Sequence, residues 1–125
     1  MDVTQFEIDG GTFDMNVTIL VTENIDYATK FVHSNLDTLV TQKDFDARGV
    51  TFTSEDGRNA IIWLPNANDI SINTHELAHA TINILTWAGI PLNDSTEEVF
   101  TYEMQHLSDQ FYNQLPYKKH ITYVK

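Results

Sequence analysis

The chain has 125 residues, a formal net charge of −11 from 18 acidic against 7 basic side chains, and no cysteine. That length supports one hydrophobic core, read as a single domain over residues 1–125. The missing thiols exclude disulfides and thiolate metal sites, and the acidic balance argues against nucleic acid and anionic membranes as partners.

The acidic opening MDVTQFEIDGG lacks the basic-then-apolar order of a signal peptide, and no apolar run is long enough to span a bilayer. A cytoplasmic location is the expectation. The net charge suits solubility, with a basic partner or nucleic-acid mimicry as the sharper alternative.

Residues 4–8 read as a short strand and Gly10-Gly11 as a turn. Residues 13–22 alternate, with Phe13, Met15, Val17, Ile19 and Val21 on one side, which predicts a strand with one mostly buried face. After Asn24 the period changes. Ala28, Phe31, Val32, Leu36 and Leu39 fit one stripe of a helix.

Two β-rich runs follow, 48–53 and 58–64, joined by Ser54-Glu55-Asp56-Gly57, whose Asp-Gly signals a hairpin. A helix is expected over 72–88, stopped by Gly89 with Pro91 beyond. A last long helix is expected over 96–115, ended by Pro116. Residues 120–125 form a final strand or a loose end. The order predicts an α+β domain: a small, mostly antiparallel sheet packed against two consecutive long helices.

The first of those helices carries His75-Glu76-Leu77-Ala78-His79. Histidines at i and i+4 lie one turn apart on one face, so both imidazoles reach one metal ion. Glu76, about 100° further round, sits near a metal-activated water without being a ligand. That is the H-E-x-x-H arrangement of zinc hydrolases, in which the metal acidifies a water and the glutamate takes its proton during attack on a carbonyl. The competing reading is Asn73-x-x-Glu76 as a capping box with both histidines satisfied in the core. Leu77, Ala80, Ile84, Leu85 and Ala88 cover one side, and Ile82 and Trp87 widen the apolar surface, so the helix is expected to be buried and its histidines to need a partner.

A catalytic zinc takes a third protein ligand. Glu97 and Glu98 are the best candidates, and His106 is a weaker one. Two capping boxes, Asp94-x-x-Glu97 and Ser95-x-x-Glu98, compete for the glutamates, and spacing leaves the choice open. Ala60-Ile61-Ile62-Trp63-Leu64 reads either as a sheet edge that pairs with an extended peptide or as an interior strand.

His75-Glu76-Leu77-Ala78-His79-Ala80, Ala88-Gly89-Ile90-Pro91 and Glu97-Glu98-Val99-Phe100-Thr101-Tyr102 together resemble small phage-encoded H-E-x-x-H proteins. More broadly the chain is similar to minimal gluzincin metallopeptidases, including the family that cleaves phage repressors. The resemblance covers most of residues 13–115. It implies a zinc-dependent peptidase acting in a bacterial host cell, with His75, His79 and Glu98 as zinc ligands and Glu76 as general base. Tyr102 follows Glu98 at i+4, where larger gluzincins carry Asp. It is read as an oxyanion stabiliser or as helix packing. The rival is a catalytically silent, zinc-containing phage protein that binds a host or virion partner.

Overall fold

The computed structural model describes residues 2–115. The expected final element at 120–125 lies outside the described residues.

β1 (Thr4–Asp9) and β2 (Asn16–Val21) pair antiparallel, with Ile8 opposite Val17. The strand expected from residue 13 starts at Asn16, because the preceding residues are folded into the connection. There the Gly10 amide donates to the Met15 carbonyl at 3.0 Å, and the Met15 amide to the Phe13 carbonyl at 2.8 Å. Asn24 caps α1 (Ile25–Leu36), its side chain accepting from the Tyr27 amide at 2.9 Å.

A short 3-10 turn (Gln42–Phe45) leads into the hairpin of β3 (Val50–Thr53) and β4 (Asn59–Leu64). Asp56 fastens that turn. The Ser54 hydroxyl donates to its carboxylate at 2.7 Å and the Arg58 amide at 3.0 Å, and the two bonds hold its pKa below the ordinary value.

The strand order is β1-β2-β4-β3. The outer pairings are antiparallel, but β2 and β4 run parallel, with Val21 beside Leu64. The sheet is therefore mixed. A parallel pair needs a crossover, and α1, the 3-10 turn and β3 supply it. The crossover covers a face of β2 that the alternation alone left polar. Leu20, Ile61 and Trp63 pack under α1 with Ala28, Val32 and Phe45. On the other face Val17, Ile19, Ala60, Ile62 and Leu64 meet the last two helices. The run of residues 60–64 is thus interior, and β3 is the edge next to it.

α2 (Ile70–Trp87) is capped by Asp69, which accepts from the Ser71 amide at 3.0 Å and the Ile72 amide at 3.3 Å. Asn73 therefore does not cap. It lies inside the helix, buried, and its amide donates to the Ala67 carbonyl at 3.1 Å. The stop at Gly89 is as expected. Gly89 has φ 78°, the Gly89 amide donates to the Thr86 carbonyl at 3.0 Å, and the Ile90 amide to the Leu85 carbonyl at 2.8 Å.

α3 (Glu97–Gln114) starts after Thr96, whose hydroxyl binds the Pro91 carbonyl instead of a helix amide. Neither Asp94 nor Ser95 occupies the cap, so Glu97 and Glu98 are free of the expected boxes. α3 runs antiparallel to α2 and packs on the β1 side. Thr81 meets Met104, Phe6 meets Phe111 with ring centroids 5.8 Å apart, and Gln110 bonds both the Asp9 amide and the Asp9 carbonyl. Among the described residues, no helix is long and apolar enough to cross a membrane.

Candidate functional site

His75 and His79 present their Nε2 atoms to each other at 3.1 Å, with ring centroids 4.7 Å apart and planes at 80°. Two nitrogens bound at about 2.05 Å to a tetrahedral zinc stand roughly 3.3 Å apart. The contact is at hydrogen-bond distance, so one ring can donate to the other, and its spacing is also close to that of two nitrogens sharing a metal ion.

Both histidines are exposed to solvent, contrary to the expectation that the helix buries them. The helix is not covered all round. Its core face carries Leu77, Ala80, Thr81, Ile84 and Leu85, while Ile82 and Trp87 are partly open. Burial therefore does not oblige the pair to find a partner; the case for a metal rests on the convergence of the two nitrogens.

Glu76 faces the sheet and is only 5% exposed. Its Oε1 accepts from the Thr51 hydroxyl at 2.8 Å, and that hydroxyl also lies 3.2 Å from the Glu76 carbonyl. Thr51 is on β3, and about two turns along the same face Asn83 donates to Thr53 at 2.6 Å. A side chain at Gly49 would crowd this seam, since an added Cβ would lie 3.1 Å from the Glu76 Cγ and 3.0 Å from the Ile72 Cγ2. Glu76 is therefore pinned between helix and edge strand.

Helix geometry then places the histidines. His79 is about 60° and His75 about 100° around the axis from Glu76, on the side away from Leu77 and Ala80. Glu76 and Asn83 already sit over β3, so the imidazoles project beyond it, past the strand that ends the sheet among the described residues.

Glu98, the third ligand implied by the resemblance, is not brought to the pair. Thr81, which meets Met104 of α3, lies about 200° around α2 from His79. The histidines and α3 are thus on opposite sides of the helix. The antiparallel run adds an axial separation of roughly 12 Å, because Glu98 precedes Met104 while His79 precedes Thr81. Glu97 and Glu98 are both exposed at the far end. Among the described residues no group of three or more His, Cys, Asp and Glu side chains is placed to share a metal ion. The residues thus fit a metal in part, with two imidazoles suitably placed and no third acidic ligand beside them.

Tyr102 and His106 also belong elsewhere. Tyr102 is 66% exposed on α3 and lines a cavity with His106 and Glu103 rather than facing the histidine pair.

Glu103 escaped the sequence reading. It is 5% exposed, and among the described residues its Oε2 has no hydrogen-bond partner. Burial, chiefly, pushes its pKa above the ordinary value of 4.5; the His106 ring opposes that rise and Asp9 adds to it. The signal available was its phase, since Phe100, Glu103, Leu107 and Phe111 share the buried stripe of α3.

A folded-state pKa above the unfolded one means that the folded chain holds this proton more tightly. Stability from this group is then full below pH 4.5 and falls as pH rises toward the raised value. Glu103→Gln is expected to melt with wild type at pH 4 and a few degrees above it at pH 7, from removal of about 1 kcal/mol of unsatisfied burial. Calorimetry across that range checks this.

A second feature missed from sequence is a crevice of about 490 Å³ at the carboxyl ends of the parallel strands, lined by Thr22, Glu23, Asn24, Pro65, Asn66 and Asn68 among others. α1 leaves β2 toward one face and α2 leaves β4 toward the other, which opens the gap. Only the parallel pairing creates it, and that pairing has no local signature.

The chain matches no protein-family model, no curated protein and no solved structure.

Proposed function

We propose that this protein is a zinc-dependent peptidase whose site is the His75–His79 pair, with Glu76 as general base and the free edge of β3 as the peptide track. The observation that carries the reading is the convergence of the two Nε2 atoms at 3.1 Å beside a buried glutamate on an open sheet edge.

When bound, a zinc ion would supply Lewis acidity and make a water easier to deprotonate. The chain's own residues account for the rest. His75 and His79 would hold the metal. Glu76, one position from His75 and fixed by Thr51, would take the proton from the attacking water. Val50–Thr53 would pair with an extended peptide through backbone hydrogen bonds, as other exposed edges do, and the peptide would pass under the imidazoles.

A second reading is a zinc-containing but catalytically silent protein that uses this face for binding, since among the described residues no third acidic ligand stands beside the pair. Both readings require the metal. In a competition titration the wild-type chain is expected to bind roughly one zinc ion, and His75→Asn and His79→Asn should each weaken it by at least about a hundredfold. Wild-type binding below roughly 0.1 zinc per chain, or unchanged affinity in both variants, would sink both readings.

A further inference from the structure

A separate site stands on the other side of α2, between the Gly10–Phe13 connection and α3. It is a cavity of about 390 Å³, lined by Gly11, Phe13, Val99, Tyr102, Glu103 and His106 among others. That volume is at the small end of ligand pockets, suited to one side chain or a compact group.

The site is built rather than incidental. Gly11 has φ +66°, which favours glycine, and a Cβ there would come within 2.8 Å of the His106 Nε2, so a side chain would push the ring from its seat against the turn. The Asp9 carboxylate accepts from the Gly11 amide at 2.8 Å and lies 3.5 Å from the His106 Nε2. Gln110 clamps the turn from α3: its amide nitrogen donates to the Asp9 carbonyl at 2.7 Å and lies 3.0 Å from the His106 Nε2.

Within this frame the Glu103 Oε2 has no hydrogen-bond partner among the described residues, although the residue is only 5% exposed. A buried carboxylate oxygen without a donor is costly. Among the described residues no Lys or Arg lines the cavity to supply one. The walls are apolar at Phe13 and Val99, and the largely exposed Tyr102 ring stands at the rim. This combination accepts an alkyl stem along the walls, a cation against the ring and a charged head toward the carboxylate. The net charge of −11 attracts a basic partner to the chain.

We propose that this cavity binds the guanidinium or ammonium head of an Arg or Lys side chain from a basic protein partner, with Glu103 as the counter-charge and Tyr102 as the rim contact. It uses no residue of the histidine site, so it stands whether or not the chain hydrolyses peptides.

The test is a two-dimensional amide NMR titration of the full chain with Nα-acetyl-arginine amide, Nα-acetyl-lysine amide and the neutral Nα-acetyl-norleucine amide. Saturable shifts are expected at the Gly11, Tyr102 and Glu103 amides with at least one of the cations and not with norleucine. Glu103→Gln, which keeps the side-chain shape, should weaken that binding at least about tenfold, and the surface variant Tyr102→Ala about threefold. A basic pentapeptide containing the preferred residue should bind more tightly than the single amide. The proposal is overturned if neither cation gives saturable shifts there, if norleucine matches them, or if Glu103→Gln binds as well as wild type. A pentapeptide no tighter than the single amide would overturn a protein as the source of the cation.

Discussion

Glu76→Gln is expected to lower any peptide hydrolysis by this chain by about two to four orders of magnitude while leaving zinc affinity within about twofold. The substitution is mild structurally. Glutamine keeps an oxygen for the Thr51 hydroxyl, which now bonds Oε1 at 2.8 Å, and it fills the same space against Gly49. It loses only the basicity. Initial rates on unstructured peptides, measured beside zinc titrations and melting curves, separate the readings. A wild-type rate that falls with the metal intact supports a peptidase. A rate that survives the change assigns hydrolysis to something other than this site. Zinc binding without hydrolysis in either protein leaves the silent, binding reading standing.

The largest stability effect is expected at Trp63. Its ring is fully buried on the α1 side, edge-on to Phe45 at 5.2 Å, and its indole N–H donates to the Thr22 carbonyl at 3.0 Å. Trp63→Ala removes the ring, leaves a cavity and orphans the carbonyl. It should cost about 3–5 kcal/mol, a large share of what a domain of this size holds. Trp63→Phe keeps most of the packing but still orphans Thr22, so about 1–2 kcal/mol is expected. Chemical denaturation of the three proteins checks the order. A Trp63→Ala cost below about 1 kcal/mol would show that the α1 layer is not part of the cooperative core.

Most local structure was legible because its causes are local. Asn24 caps α1 with its own side chain, Asp56 closes the hairpin, and Gly89 takes the left-handed conformation that ends α2. Each depends on residues within a few positions. Caps chosen among several polar candidates were less legible. Asp69 rather than Asn73 starts α2, and Thr96 starts α3, because the choice depends on where the preceding chain enters the helix.

The site was legible in part for the same reason. His75 and His79 converge because one helical turn makes them converge, whatever packs around the helix. A third ligand comes from another element, and its position depends on which side of α2 that element takes. α3 packs against Thr81 and the β1 side, so Glu98 and Tyr102 lie away from the histidines. Whether residues 60–64 form an edge or an interior strand was likewise decided only once β4 took a place beside β2, which leaves β3 at the end of the sheet.

What the sequence determined by itself, then, is the helix that pairs two imidazoles with an adjacent glutamate, the turns that bound it, and an acidic chain without thiols. The tertiary structure decided the parallel β2–β4 pairing, the exposure of the histidines over the β3 edge, and the burial of Glu76 and Glu103. The physical reason is range. Backbone periodicity and capping act over one or two helical turns, whereas sheet order and the burial of a charge are set by contacts between residues distant in the chain.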